Sequence, residues 1–509
     1  MRKILKFLAS RMTIAAFLIL IQVLLLFSWL YRITIAYELV TLFNVLAIVT
    51  VVYVINKEED ASYKIGWCIM ILVLPVFGVM MYLLCAGRTM PKKLAKGTTQ
   101  ANHDMQGLLH QDEKVMDALR KERPDIAKLF DYGLLSSNFP VYRNTESVYF
   151  PSGEAMYPVL VEELKKAEHF IFLEYFIIDT GTVWNEILTV LKEKAASGVE
   201  VKLIYDDFGC MEKLPRRYDR MLNEAGIETY RFNPVRPALI IQMNNRDHRK
   251  ICVIDNRVGF TGGVNLADEY MNLKRRFGYW KDSAVMLKGD AVRSLTDMFL
   301  GMYTYLAGDH KTIDYSRYLK ETESGKGDGY YQPFSDTPTD GADVGLSMHL
   351  NLVNNARRYI YIDTPYLILN QDMQRALCLS AQNGVDVRIL VPHIPDKRIV
   401  NMVTKSNYMP LLKAGVRIFE YSPGFNHTKN IVSDDEVGLI GSINTDYRSY
   451  FLHFEDGVLM YNSETVQEMK QDFLNAVRIS HEATLSECMK VSPAVRTFRA
   501  LLRVFTPLF

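Results

Sequence analysis

Little in this sequence points to covalent cross-links, bound metal or a charge-driven partner. Six cysteines are spread over 509 residues. They are Cys68, Cys85, Cys210, Cys252, Cys378 and Cys488. None forms a C-x-x-C pair or sits in a cluster with histidine, which argues against a disulfide scaffold or a structural zinc site. Net charge is almost absent: 59 Lys+Arg stand against 58 Asp+Glu, a formal +1. That balance argues against a strongly basic nucleic-acid binder and against an acidic tail protein, while leaving room for local basic patches. Apolar residues make up 49%, enough to bury a sizeable core and too many for a disordered chain. The length suggests about two to four domains.

The apolar residues are unevenly distributed. Met12–Tyr31, Leu39–Asn56 and Ile65–Gly87 are runs without charge, separated by Arg32, Glu38 and the charged loop around Lys57, Glu58, Glu59, Asp60 and Lys64. Each is about long enough to cross a ~30 Å hydrocarbon core as a helix. Residues 1–88 are therefore expected to be a membrane region with two or three transmembrane helices, making the protein multi-pass in the cell membrane. A cleaved signal peptide is disfavoured, because the first run is long and a second follows almost at once. Arg2, Lys3, Lys6 and Arg11 hold the N-terminus inside. Two crossings leave the large domain inside and three put it outside. Arg88, Lys92, Lys93 and Lys96 favour inside.

Residues 89–135 read as a polar linker with short helices. From 136 the pattern turns α/β. His169–Ile178 reads as a buried strand, Val183–Ala196 has helical spacing, and Val199–Tyr205 is a second strand after Gly198. This βαβ unit predicts a parallel sheet covered by helices. The order recurs later: Arg358–Ile362, Asp372–Gln382 and the strand Val385–Leu390 take the same places. Two similar lobes follow, 136–320 and 346–490, each expected to be a mostly parallel sheet flanked by helices. The Gly-, Ser- and Asp-rich stretch 321–345 reads as an exposed inter-lobe loop. The last segment, 491–509, is amphipathic, with Arg496, Arg499 and Arg503 near one helical face. It fits either a helix lying on an anionic membrane surface or one docked on the domain.

Each lobe carries one copy of a dense polar pattern. The first is His248-Arg249-Lys250, Asp255 and Gly262-Gly263-Val264-Asn265; the second is His427-Thr428-Lys429, Asp434 and Gly441-Ser442-Ile443-Asn444. The spacing is the same in both: Lys two, Asp seven, Gly fourteen and Asn seventeen residues after His. The flanking residues suit a strand, where positions two apart share a face, so each copy presents an imidazole beside an ammonium. Asp255 and Asp434 fall in the turn that follows and are assigned to local structure. Asn265 and Asn444 can donate amide N–H groups. Two facing lobes gather two His, two Lys and two Asn, a pocket for one tetrahedral anion.

This doubled H-x-K-x₄-D resembles the phospholipase D superfamily. Within it the chain is similar to the bacterial cardiolipin synthases over nearly its whole length. The likeness includes Trp67, Pro75 and Gly78, Phe172-Leu173-Glu174-Tyr175, Tyr205-Asp206-Asp207-Phe208-Gly209, Trp280-Lys281-Asp282, the run Gly441–Ser449 and the Pro507-Leu508 ending. The first copy departs at Gly263, where the second has Ser442, so a role for the Ser442 hydroxyl is one-sided.

The resemblance implies a phosphatidyltransferase with phosphatidylglycerol as both donor and acceptor. Cardiolipin and glycerol are the products, formed at a membrane, with no nucleic acid and no metal or other cofactor. One imidazole attacks phosphorus to form a phosphohistidine and the other moves protons. By the same likeness His248 is the nucleophile and His427 the acid/base. Lys250, Lys429, Asn265 and Asn444 stabilise the transition-state charge. Asp282 and Glu455, at matching places before strand-like runs, resemble the acidic partners that orient the imidazoles. Glu174 and Asp363 match each other too and rank lower. A hydrolase with water as acceptor, or a phosphodiesterase acting on nucleic acid, would use the same residues. A scaffold without activity does not need both copies complete. Oligomeric state and membrane side are not legible.

Overall fold

The computed structural model describes residues 20, 24, 34–85, 92–105, 107–235, 245–308, 313–320, 327–339 and 341–504. Most of Met12–Tyr31, with Arg2, Lys3, Lys6, Arg11, Arg88 and Pro507-Leu508, lies outside them.

Two sheets form the body. The strands of the first lobe are β1 (Thr145–Phe150), β2 (Phe170–Tyr175), β3 (Glu200–Asp206), β4 (Glu228–Phe232), β5 (Lys250–Ile254), β6 (Val258–Gly262), β7 (Tyr279–Lys281) and β8 (Ala284–Gly289). Those of the second are β9 (Tyr330–Asp336), β10 (Tyr359–Asp363), β11 (Asp386–Pro392), β12 (Arg417–Tyr421), β13 (Gly424–Asn426), β14 (Asn430–Ser433), β15 (Val437–Gly441), β16 (Glu455–Tyr461) and β17 (His481–Glu482). The sheet orders are β1-β8-β6-β5-β2-β3-β4 and β9-β16-β15-β14-β10-β11-β12-β17. Strand for strand the second repeats the first and adds β17 at its edge. That is the duplication expected from the sequence.

The sheets are mixed rather than mostly parallel. Within these two sheets, among the described residues, only β2–β3–β4 and β10–β11–β12 run parallel. The half that carries each polar motif is antiparallel. The reason is local. Asp255-Asn256 and Asp434-Asp435 all adopt positive φ, giving tight hairpins that can join only antiparallel strands.

The N-terminal transmembrane helices expected from the apolar runs are not seen. Among the described residues no helix is long and apolar enough to cross a membrane. The second run is helical within Thr34–Ile55. Its uncharged part after Glu38 is about 25 Å long at 1.5 Å per residue, short of a ~30 Å core. The third run is split into Ala61–Val73 and Pro75–Cys85. Pro75 has no N–H to continue the earlier helix. The three helices pack together around Ala47, Val54, Trp67, Ile71, Val79 and Tyr82.

Two other segments differ from expectation. The short helices expected in the stretch 89–135 are present as Lys92–Met105, Glu113–Glu122 and Pro124–Ser137, but they are built into the body instead of merely linking its parts. Met116, Leu119 and Phe130 from these helices enter the same core as Phe172 of the first lobe and Ile360 of the second. The inter-lobe stretch contains β9, whose Tyr330, Tyr331 and Phe334 are buried. At the other end, Pro493–Val504 is a helix packed against Arg398–Ser406, with Val495, Phe498 and Leu501 exposed.

Candidate active site

The two histidines are not held by their own sheets. His248 and Lys250 lie at and just before the start of β5, and His427 and Lys429 just before β14. Each histidine segment instead crosses to the other lobe. The His248 N–H donates to the Phe454 carbonyl at 2.9 Å, and the Phe454 N–H to the Arg246 carbonyl at 2.8 Å. In the mirror arrangement β13 pairs in parallel with β7, and the His427 N–H donates to the Lys281 carbonyl at 2.7 Å.

The carboxylates follow the same exchange. His248 Nδ1 lies 2.8 Å from Glu455 Oε2, and His427 Nδ1 lies 2.7 Å from Asp282 Oδ2. Each imidazole is thus oriented by an acid of the opposite lobe. An Nδ1–H donated to a carboxylate leaves Nε2 with its lone pair free for chemistry. Both carboxylates are fully buried, and the histidines are only 6% and 7% exposed.

The carboxylates themselves are fixed differently. Glu455 Oε2 also accepts from Ser442 Oγ at 2.5 Å, and that oxygen takes the Asp456 N–H at 2.9 Å. Asp282 Oδ1 takes the Ser283 N–H at 2.9 Å. A Cβ at Gly263 would sit 2.0 Å from Asp282 Oδ1. The missing hydroxyl in the first copy therefore has a steric cause: the shorter acid reaches into the space that a side chain at 263 would take.

Charge is concentrated here. Lys250 Nζ donates to the His248 carbonyl and Lys429 Nζ to the His427 carbonyl; Lys429 Nζ is also 2.9 Å from His427 Nδ1. Burial pulls Lys250 down to about 8 and Lys429 to about 7, against the pull of nearby carboxylates. Burial, with Lys429 adding to it, takes His427 to about 4, and burial with Lys250, Lys429 and His427 holds His248 well below its usual value. Burial opposes the ionised Asp282, but Lys429 and His427 outweigh it and keep its carboxyl below the usual range. Two neutral imidazoles between two potential ammonium groups make a receptor for an anion. The geometry does not separate His248 from His427 as the attacking group.

The remaining expected residues have distinct places. Asn265 is largely committed: its Oδ1 accepts from the Ile177 N–H and its Nδ2 donates to Tyr270 Oη, both at 2.9 Å. Asn444 has an Oδ1 without a hydrogen-bond partner. Asp255 and Asp434 are not brought to the site. Asp255 accepts the N–H groups of Glu168, His169 and Phe170. Asp434 accepts those of Arg357, Arg358 and Tyr359. Each locks the hairpin to the start of a neighbouring strand. Glu174 pairs with Arg249 at 2.5 Å, and Asp363 accepts from Asn426 at 3.2 Å. They brace the residues beside the two histidines.

Sequence reasoning missed the aromatic walls and a third imidazole. Phe176 lies against His248, and Tyr270, Trp280 and Phe425 against His427. The His453 ring is 5.5 Å from that of His248. Its place two residues before Glu455, on the approach to β16, was the available signal. His248, His453 and Glu455 each bring one ligand atom within 4.8 Å of the others, a donor set that suits zinc or iron. Lys250 and Lys429 beside it favour an anion instead. A cavity of about 700 Å³ reaches Arg249, Asp297 and Phe454, but neither His248 nor His427 lines it.

Comparison with known proteins agrees with this geometry. A family profile described as cardiolipin synthase, PLD-like domain, matches residues 160–297 and 350–477. A second, described as the phospholipase D-nuclease N-terminal region, matches residues 45–86. A cardiolipin synthase of Alkalihalophilus pseudofirmus is 34% identical over 433 residues, covering 84% of this chain and 86% of that protein. One of Geobacillus sp. (strain WCH70) is 34% identical over 470 residues, covering 91% and 92%. An uncharacterised protein of Streptococcus mutans is 39% identical and covers 90% and 99%. A crystal structure of phosphatidylserine synthase from Haemophilus influenzae shares the fold at TM-score 0.58 and 14% identity, covering 75% of this chain and all of that one. With two matched repeats, each supplying one buried histidine to a shared pocket, the chain belongs to the cardiolipin synthase family of the phospholipase D superfamily and is a phosphatidyltransferase.

Proposed function

We propose that the protein makes cardiolipin by transferring a phosphatidyl group from one phosphatidylglycerol to another, through a phosphohistidine. The observation that carries this reading is the reciprocal pair of buried imidazoles, each held through Nδ1 by the other lobe's carboxylate, with Lys250 and Lys429 alongside. One Nε2 attacks phosphorus, and the bond from phosphorus to the glycerol oxygen breaks. The second imidazole, whose protonated form the bound phosphate anion favours, gives its proton to that oxygen, and glycerol leaves. The hydroxyl of a second phosphatidylglycerol then returns a proton to the same imidazole and attacks phosphorus. The phosphorus–nitrogen bond breaks and cardiolipin is released. Lys250 and Lys429, with the amides of Asn265 and Asn444, stabilise the charge that builds on the phosphoryl oxygens.

The low exposure of both histidines supports transfer over hydrolysis, since a closed slot keeps bulk water from the intermediate. Work at a phospholipid surface is supported by the exposed apolar side chains of the N-terminal helices, among them Leu42, Val45, Val49 and Leu72. Purified protein in detergent micelles with phosphatidylglycerol alone should yield cardiolipin and free glycerol in equal amounts, read by mass spectrometry. His248→Ala and His427→Ala should each abolish both. Phosphatidic acid without cardiolipin would overturn the reading in favour of a hydrolase.

A further inference from the structure

The second lobe carries an arginine that the reaction described above does not use. Arg448 lies four residues after Asn444, in the short helix Tyr447–Phe451. Its guanidinium has no hydrogen bond or ion pair among the described residues. The two acids nearest in effect are engaged elsewhere: Asp446 accepts the Ser449 N–H at 2.8 Å, and Asp206 pairs with Arg246 at 3.5 Å. Arg448 is half-buried, and desolvation lowers its pKa from the ordinary value.

Arg448 is tied to the third imidazole. Its carbonyl accepts the His453 N–H at 3.0 Å, and its charge acts on the His453 ring. Both ring nitrogens of His453 lack a hydrogen-bond partner although the residue is buried. Nδ1 stands 3.5 Å from Glu455 Oε1. The Arg448 charge thus acts on an imidazole without a hydrogen-bond partner, and that ring stands 5.5 Å from the ring of the reacting His248.

This flank has no equal in the first lobe. Four residues after Asn265 stands Glu269 in place of arginine. Its carboxylate is neutralised by Lys213 at 3.1 Å and Arg276 at 3.6 Å. The pseudo-twofold symmetry that governs the histidines, lysines and acids therefore fails at one position, where a paired anion is replaced by an unpaired cation.

The proposed transfer brings two phosphates together. The reacting one is met by Lys250 and Lys429. The acceptor lipid carries its own phosphodiester anion one glycerol away from the attacking hydroxyl, and nothing in the symmetric part of the site compensates that charge. We propose that Arg448, with His453 beside it, binds the phosphodiester of the acceptor lipid and hydrogen-bonds its glycerol hydroxyls, so that the site selects a phosphatidyl alcohol over free glycerol or water. This rests on the transfer reading and deepens it. Guanidinium–phosphate contacts are charge-assisted and often bidentate, which suits an anchor that must fix both position and angle.

The test uses the full-length protein in micelles of phosphatidylglycerol with labelled glycerol added. Two products form in one tube: cardiolipin, whose acceptor carries a phosphate, and labelled phosphatidylglycerol, whose acceptor does not. In Arg448→Gln the ratio of cardiolipin to exchanged label should fall by about tenfold or more. A ratio within about twofold of wild type, whether both products fall or neither does, overturns the proposal. The wild type supplies an arm that needs no variant. With glycerol 3-phosphate and glycerol at equal concentration, transfer to the phosphate-bearing alcohol should be favoured by about tenfold. Equal use also overturns the assignment. Wild-type protein that forms neither product refutes the transfer reading itself, which separates that failure from a failure of Arg448 alone.

Discussion

Glu455→Gln isolates what the cross-lobe carboxylate does. The change keeps the shape of a side chain that is fully buried and removes its charge. Glu455 Oε2 accepts from His248 Nδ1 at 2.8 Å and from Ser442 Oγ at 2.5 Å. In the variant the amide oxygen can still accept from His248, but the imidazolium that forms during proton transfer loses its counter-charge. A hydrogen bond to a charged partner contributes about 1.5–3 kcal/mol, so kcat should fall about 10- to 150-fold. KM should change little, because the carboxylate faces the imidazole and not the lipid. Asp282→Asn should behave alike, since Asp282 holds His427 at 2.7 Å. The assay is the initial rate of cardiolipin formation from phosphatidylglycerol in mixed micelles, with a thermal melt of each variant. A Glu455→Gln protein that melts as wild type and keeps half its rate would refute the orienting role. A variant that loses activity only in proportion to its folded fraction would refute it too.

Other expectations follow from single geometric facts. Asp255→Ala and Asp434→Ala each remove the acceptor of three backbone N–H groups. Each should cost about 1–3 kcal/mol and several degrees of melting temperature, while the rate per folded molecule stays within about threefold. The pH profile of kcat/KM should fall on the alkaline side between about 7 and 8, where Lys429 and Lys250 lose the charge that holds the phosphate. Lys429→Arg should move the alkaline limb upward by about one unit or more, because a guanidinium stays charged. Gly263→Ser places a Cβ 2.0 Å from Asp282 Oδ1; it should displace that acid and lower kcat by about tenfold or more, whereas Ser442→Ala, which removes one hydroxyl, should cost only about two- to fivefold. EDTA should leave cardiolipin formation unchanged, since the two lysines already supply positive charge at the phosphate.

The sequence carried the repeat because duplication preserves spacing. His248 and His427, with Lys and Asn at the same offsets, were visible without coordinates, and so was one βαβ unit per lobe. The sheet was misjudged because that unit was extended across the whole lobe. The antiparallel half is announced only by Asp255-Asn256 and Asp434-Asp435, whose positive φ makes tight turns. The place of Asp255 and Asp434 in a turn already pointed to local structure, and each locks its hairpin to the start of a neighbouring strand. The third apolar run looked long enough to span a bilayer because hydropathy does not register where Pro75 breaks a helix. His453 escaped notice since it belongs to no repeat, and a pattern found by self-similarity hides whatever the two halves do not share.

Reciprocal exchange between the lobes also explains why the two copies must stay together. His248 takes its acid and a backbone partner from the second lobe, and His427 takes both from the first. Neither lobe alone holds an oriented imidazole. Buried charge sharpens this: Asp282 and Glu455, separated from their histidines, would be carboxylates without a counter-group, at a cost of several kcal/mol each. Lobe separation and loss of the site are therefore one event. The symmetry needed for that exchange has a limit. Two equal lobes present two equal flanks to the phosphorus, yet transfer between lipids requires a glycerol to leave and a second lipid to enter in a fixed order. Some residue must break the equivalence without disturbing the exchange. Residues just after the Asn of each motif are free to differ, because they lie between the histidine and the acid of their lobe and are neither of the groups that cross. Glu269, paired with Lys213, and Arg448, with no ion pair among the described residues, differ at one such place.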